Sequence, residues 1–244
     1  MDLTGRVVAI TGASRGLGAG MAEWFAAHGV RLGLCARNEP PAPDGAEAVC
    51  AAVDVTDAGA TETFVRLVAH ELGSIDLWIN NAGVLEPIVA QRDLDPADLA
   101  AHLGINVGGV LIGTQAYLRH LDEAGRAGAL VNISSGASQS GRTGWSAYCA
   151  GKAAVDRLTE TIAVEEPDRL PVALSVAPGL VDTDMQALIR EQGTDVMPDV
   201  DFFRQRKTDG TMNSPAFIAE TIAGWVFEGP SPDSVFCRVP DQPR

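Results

Sequence analysis

The sequence predicts a single doubly wound α/β domain spanning 1–244, with a parallel sheet of about seven strands and helices on both faces. Three observations predict it. Short apolar, β-branched runs recur along the chain, they alternate with helix-length stretches, and the first run feeds directly into a glycine-rich turn. Strands that are apolar at every position are buried on both sides, the condition of a parallel sheet covered by helices. With 244 residues, 46% hydrophobic and 20% charged, the chain has material for a large core and is not globally disordered.

The elements follow in order. Arg6–Thr11 (RVVAIT) is the first strand, Gly12–Gly18 the turn, and Ala19–His28 the first helix. Val30–Cys35 is the second strand. Asn38–Gly45 contains three prolines, so no long helix fits there and a tight surface connection is expected. Val49–Val53 is the third strand and Asp57–Leu72 the second helix. Ile75–Ile79 (IDLWI) is the fourth strand, broken by Asn80-Asn81-Ala82-Gly83. Leu99–Leu121 reads as one long helix, Ala129–Ser134 as the fifth strand, Ala147–Val164 as a further helix and Val172–Ala177 as the sixth strand. Val235–Val239 completes the set. Gln192–Met212 is polar and weakly patterned, as in an insertion over one end of the sheet; the region 185–215 is expected to form a substrate lid.

Composition excludes several functions. Lys+Arg is 18 against 32 Asp+Glu, a formal net charge of −14, which argues against binding nucleic acid or an anionic membrane surface. No apolar run approaches the roughly 20 residues of a membrane helix. Met1–Arg6 lacks the shape of a secretory leader. Cys35, Cys50, Cys149 and Cys237 show no pairing pattern, which suits a reducing cytoplasm. The histidines at 28, 70, 102 and 120 lie apart, so no metal site is expected.

The turn Thr11-Gly12-Ala13-Ser14-Arg15-Gly16-Leu17-Gly18 carries chemistry. Its glycines allow a tight turn and let a pyrophosphate approach the backbone, and the helix that follows offers free N–H groups and a partial positive charge. Between a strand and a helix, this is the context of a dinucleotide site. Two arginines bear on which dinucleotide. Arg15 lies in the loop, and Arg37 lies just past the second strand, where the adenosine ribose belongs. An acid there would hold a free 2′-hydroxyl, but Ala36 and Arg37 stand in its place. NADP(H) is therefore favoured over NAD(H), with two solvated surface arginines as the plainer reading.

Tyr148-Cys149-Ala150-Gly151-Lys152 places a phenol and an ammonium four residues apart, on one helix face. A free tyrosine has a pKa of about 10, and a neighbouring ammonium favours tyrosinate and lowers it. Tyr148 is then suited to pass a proton to or from a substrate oxygen. Ser135, thirteen residues upstream, can hydrogen-bond the same oxygen.

With these pieces in family order, the sequence resembles the short-chain dehydrogenase/reductase family over essentially its whole length, a Rossmann-type fold. The matching segments are TGASRGLG (11–18), Asp54-Val55, NNAG (80–83), Asn106, Ser135, YCAGK (148–152) and APGLVDTDM (177–185). The resemblance implies that Asp54 and Val55 flank the adenine and that Asn81, Ala82 and Gly83 line the adenosine ribose side. It implies that Lys152 also binds the nicotinamide ribose, with Pro178, Gly179, Val181 and Thr183 packing on the nicotinamide. It makes Asn106 a fourth catalytic residue, holding a water that links Lys152 to solvent. It also implies a homodimer or homotetramer paired through helices 99–121 and 147–164, where Gly108, Gly109, Ala150 and Ala154 permit close contact, although these small residues also fit ordinary packing on the sheet.

The substrate is less legible. Trp145 lies one turn before Tyr148 and reads equally as the wall of an aromatic pocket or as a core residue. Leu85, Met185, Leu188 and Phe203 are candidates for the other walls, and Glu86 and Arg142 for polar contacts. Asp182–Gln186 and Phe203–Pro215 resemble the benzil reductase and sepiapterin reductase branch, whose members reduce one ketone of a vicinal dicarbonyl. Pterin-binding members use an acid in the last strand, where this chain has Arg238, which disfavours a pterin. The resulting expectation is hydride transfer from NADPH to one carbonyl of an aromatic or apolar vicinal diketone. The alternatives are a 3-oxoacyl thioester reductase, an alcohol or hydroxysteroid dehydrogenase, or a non-catalytic NADP(H) sensor.

Overall fold

The structure, a computed structural model, describes residues 1–243. Seven strands form one sheet: β1 (Val7–Thr11), β2 (Arg31–Ala36), β3 (Ala48–Ala52), β4 (Leu77–Asn80), β5 (Ala129–Ile133), β6 (Val172–Ala177) and β7 (Phe236–Arg238). Their order is β3-β2-β1-β4-β5-β6-β7, and every pairing is parallel. The order reverses between β1 and β4, so the crevice beyond their carboxyl ends is the place where such sheets bind ligands.

The alternation along each strand explains the two faces. Val8 and Ile10 join Leu32, Leu34, Leu77, Ile79, Val131 and Val176 on one side, under Met21 and Phe25 of helix α1 (Gly16–Ala27) and Ile218 and Ile222 of α8 (Pro215–Ala223). Val7 and Ala9 face the other way with Trp78 and Leu130. There Phe64, Val65 and Val68 of α2 (Ala58–Leu72) and Ala116, Tyr117 and Leu121 of α4 (Gly109–Ala124) cover them. Two layers of helix thus bury a sheet apolar on both sides, as the unbroken strand runs predict. α8 carries no assignment in the sequence reading. Ser214 caps it by accepting from the Phe217 N–H, and it docks so tightly on α1 that a Cβ at Gly20 would collide with Pro215.

The expected long helix 99–121 differs. It starts earlier, as α3 (Pro96–Leu103), where Pro96 sits in the first turn and Asp95 accepts from the Ala97 N–H. It then passes through a π turn, Gly104–Gly108, before α4 begins. Pattern reading cannot see one wide turn inside an apolar helix; here it carries Asn106 at its centre. The run Pro96–Ala124 is long and apolar enough, by length and composition alone, to cross a membrane; in this fold its α4 part packs on α2 and β4.

The segment 192–212 also differs from its unpatterned expectation. After α6 (Asp184–Glu191) it contains α7 (Val200–Thr208), a short helix that buries only Val200 and Phe203 and turns charge outward, which is why its periodicity is faint. Asn38–Gly45 forms neither helix nor strand.

Candidate active site

Beyond the carboxyl ends of the strands lies a cleft of about 730 Å³, lined from Gly12–Gly18 at one end to Phe203 and Arg206 at the other. The glycine turn is stitched to the end of β4. Thr11 Oγ1 accepts from the N–H groups of Asn81 and Ala82 at 3.0 and 3.1 Å, and Asn81 Nδ2 donates to the carbonyls of Thr11 and Gly12. Gly12 has φ +68°, and a Cβ there would lie 2.7 Å from Ala82 Cα; Gly16 has φ +58°. No side chain caps α1 and no acid sits in its first turn, whereas Asp57, Asp95 and Ser214 cap α2, α3 and α8. The first residues of α1, Gly16, Leu17 and Gly18, line the cleft, so the cradle fits a dinucleotide pyrophosphate.

The other cofactor candidates lie around the same cleft. Ser14, Arg15, Leu17, Gly18, Asn81, Ala82 and Gly83 line it, as do Pro178, Gly179, Val181 and Thr183. At the part of the cleft where the sequence leads one to expect the adenosine stand Ala36, Arg37, Asp54 and Val55, and Arg37 is exposed. The Asp54 carboxyl accepts from the N–H and hydroxyl of Thr56, which hold it below the usual carboxylate range, with Arg37 adding to the effect. Arg15 reaches across to Asp184 at the start of α6, 2.9 Å away.

Ser135 follows β5, and its Oγ accepts from the Ala137 N–H. Tyr148 and Lys152 lie on α5 (Ser146–Glu165), both buried and both on the cleft wall. Lys152 Nζ is 5.7 Å from the centre of the Tyr148 ring and donates to the Ile133 carbonyl at 2.7 Å. Burial pushes the Tyr148 phenol above its ordinary pKa, against the pull of the Ser135 hydroxyl. This corrects the expectation that the ammonium brings it down: in the protein alone, desolvation wins. Burial also lowers Lys152 to about 8, and Asp156, one turn further along α5, holds it up. Asp156 is itself buried and accepts from Ser134 Oγ at 2.5 Å, Ser175 Oγ at 2.6 Å and Gln139 Nε2 at 3.0 Å.

Asn106 does not line the cleft; it is fully buried behind it. Its Oδ1 accepts from the Val84 N–H at 2.8 Å, and its Nδ2 donates to the Val84 carbonyl at 2.7 Å and to His102 Nε2 at 2.8 Å. A Cβ on Gly83 would stand 3.1 Å from Asn106 Oδ1 and 3.7 Å from Lys152 Nζ, so both residues back onto the same glycine.

At the substrate end, Trp145, Leu85, Met185 and Phe203 line the cleft. Trp145 meets Tyr148 edge-on at 5.6 Å and Phe203 at 5.8 Å between ring centres. It also belongs to a small apolar cluster with Ile189, Met197 and Val200, so both readings of this tryptophan hold: core on one side, cleft wall on the other. Leu188 is a correction. It does not line the cleft, because Met185, Gln186 and Ile189 share the inward face of α6 and Leu188 lies off it. Glu86 is also absent from the wall, while Arg142 is on it, beside Trp145 and Phe203 and paired with Asp199. Arg238 reaches the cleft together with Asp241, whose carboxylate is shared with Arg206. A carboxylate thus does face the cleft near the last strand, already engaged by arginines.

The sequence reading missed Asp156, His102, Ile189, Phe202 and Arg206. The first two were accessible by spacing: Asp156 is four residues after Lys152, and His102 four before Asn106. The others depend on how the 185–215 helices dock. Among the described residues no group of His, Cys, Asp or Glu is placed to hold a metal ion.

Comparison with known proteins gives the same direction. The family described as short chain dehydrogenase matches residues 6–194. A benzil reductase ((S)-benzoin forming) from Bacillus subtilis is 31% identical over 238 residues, covering 90% of this chain and 93% of that protein. A 3-oxoacyl-acyl-carrier-protein reductase from Vibrio cholerae is 29% identical, covering 93% and 94%. The crystal structure of a short chain dehydrogenase/reductase from Saccharomyces cerevisiae superposes with a TM-score of 0.85 at 29% identity, covering 97% and 96%.

Proposed function

The chain belongs to the short-chain dehydrogenase/reductase family of nicotinamide-dependent oxidoreductases, on its benzil reductase branch, and from that premise we propose that it is an NADPH-linked ketone reductase acting on one carbonyl of an aromatic or apolar vicinal diketone. The observation that carries this reading is the aromatic chamber of Trp145, Phe203, Leu85 and Met185 built directly against Tyr148. Two adjacent carbonyls flanked by apolar groups match it in shape and polarity. Support for the phosphorylated cofactor is electrostatic: the end of β2 presents Ala36 and Arg37, both on the cleft wall, at the position where an acid would hold a free 2′-hydroxyl.

The glycine cradle and the α1 N-terminus would hold the pyrophosphate, Asp54 and Val55 the adenine, and Pro178–Thr183 the nicotinamide. When bound, that group supplies the hydride. The protein's own part is acid catalysis. Ser135 and Tyr148 hold the carbonyl oxygen by hydrogen bonds, which draws electron density from the carbonyl carbon. As negative charge develops on oxygen, Tyr148 gives up its proton to it. Lys152 stabilises the phenolate left behind, and Asp156 keeps Lys152 protonated.

We further place the protein in the cytoplasm as a homodimer or homotetramer. Leu111 on α4 and Val164 and Ala150 on α5 are exposed, as a seam between copies requires. Gly109 is not available to that seam, because it packs on Val55. The region 185–215, with α6 and α7 over the chamber, is proposed as the lid.

The test measures NADPH and NADH oxidation with benzil, 1-phenyl-1,2-propanedione, sepiapterin and an acetoacetyl thioester. Fast turnover of the aromatic diketones with NADPH is the expected result. Activity confined to the thioester would overturn the substrate reading, and activity confined to NADH the cofactor reading.

A further inference from the structure

His102 is a titratable residue beside the catalytic helix to which the reaction just described gives no task. It is 2% exposed and makes polar contacts with both ring nitrogens. Nδ1 lies 2.7 Å from the Glu86 carbonyl oxygen, which only accepts, so Nδ1 carries the hydrogen. In a neutral ring Nε2 is then an acceptor. The group facing it is the Asn106 amide, whose orientation is set independently. The Val84 N–H must meet an oxygen, so Oδ1 points at Val84 and Nδ2 is left to donate to both the Val84 carbonyl and His102 Nε2. One tautomer and one amide orientation satisfy all four contacts.

The same ring sits against the helix that carries the chemistry. It meets Tyr148 edge-on with ring centres 6.3 Å apart. A Cβ on Gly151, between Tyr148 and Lys152 in sequence, would lie 3.3 Å from His102 Nε2 and 3.6 Å from Asn106 Cβ. Glycine at 151 therefore lets the histidine and the asparagine seat directly on α5. On the opposite side, His102 and Asn106 hold the backbone of Val84 and Glu86, which brackets Leu85 of the chamber.

We propose that His102, as a neutral ring protonated at Nδ1, is a positioning residue for reduction: it locks the Asn106 amide in the orientation that clamps Val84, and so holds the 84–86 wall in register with Tyr148 and Lys152. The inference rests on the reading of this site as a ketone reductase. Burial, with Lys152 nearby, lowers the His102 pKa and so favours the neutral ring the geometry requires. A protonated ring would set N–H against N–H at Asn106 and break the lock.

Two substitutions separate the ring's two contacts. H102N keeps a donor for the Glu86 carbonyl and loses the acceptor for Asn106. H102Q keeps an acceptor near the place of Nε2. The expected result is a kcat roughly tenfold to hundredfold lower in H102N, of the order a misplaced group costs, with recovery of most of that loss in H102Q and NADPH affinity little changed in either. Equal kcat in H102N and H102Q, both melting as folded proteins, overturns the proposal. Nitrogen-15 NMR of the histidine-labelled wild type reads the tautomer without reference to turnover; a ring protonated at Nε2 also overturns it. Y148F keeps the two levels apart. If Y148F still reduces ketones at the wild-type rate, the reductase reading fails; if Y148F is inert while H102N and H102Q behave alike, only the role of His102 fails.

Discussion

Lys152 gives a hydrogen of its ammonium to the backbone carbonyl of Ile133 at 2.7 Å. The last residue of β5 thereby fixes the charge next to Tyr148, the proposed proton donor, and the sheet rather than a loop sets its position. A rigid strand end is a better anchor for a catalytic charge than a mobile side chain would be.

Replacing Tyr148 with phenylalanine removes the proton donor and leaves the ring in place. Turnover of the diketone should fall by at least about 100-fold, the usual contribution of a positioned acid. NADPH binding, followed by protein fluorescence quenching, should be unchanged.

Asp156 supports the proton on Lys152. D156N removes that support while still offering an acceptor to Ser134 and Ser175, so Lys152 should lose its proton at a lower pH than about 8. The alkaline limb of the kcat profile should move to lower pH. An unmoved limb would mean that Lys152 does not set it.

Arg37 is an exposed cation on the cleft beside Asp54 and Val55, the proposed adenosine side. R37A should reduce kcat/KM with NADPH by roughly tenfold to hundredfold, the equivalent of about 1.5–3 kcal/mol for a charged hydrogen bond. The value with NADH should stay within about threefold, since that cofactor lacks the phosphate. A parallel fall with both would show that Arg37 serves general binding.

Two histidines titrate against stability. Burial lowers His102 and His120 below their ordinary pKa of about 6.5, and each Nε2 accepts a hydrogen bond, from Asn106 in one case and from the Ile75 N–H in the other. The unfolded chain therefore takes up protons before the folded one does. Stability is fully present above about pH 6.5 and declines as pH falls toward the folded values. Lys152 near His102, and Glu123 and Arg126 near His120, tune the window. Urea midpoints measured from pH 8 to pH 5 should show the decline, and H120Q should make it shallower.

Much of this was legible in the residues. Six of the seven strands carry apolar runs that few other arrangements could bury, and the turn at 11–18 stands out because it places three glycines between a strand and a helix, two of them where a Cβ would strike the backbone. Lys152 and Tyr148 stand out by their spacing only when it is combined with Ser135 and the glycine turn. Their acidities were not legible, because desolvation depends on how completely Ile133, Trp145 and the helices above close over them. The π turn at Asn106 left no mark, since one extra residue in an apolar helix does not disturb its pattern. α7 was hidden for another reason: only Val200 and Phe203 point inward, too few to register as a period.

The sheet order has a consequence for how the chain is made. β1 is an interior strand of the finished sheet, and its second neighbour, β4, is separated from it by about seventy residues. During synthesis the partial sheet β3-β2-β1 presents the backbone edge of Val8–Ile10 until Leu77–Ile79 emerge to cover it. An uncovered apolar edge of this kind invites wrong pairing, and non-local parallel partners close slowly. The strand that seals the edge, β4, is followed at once by Asn81 and Ala82, which tie down the glycine turn. The shape of the glycine turn should therefore become fixed in the same event that ends this vulnerability.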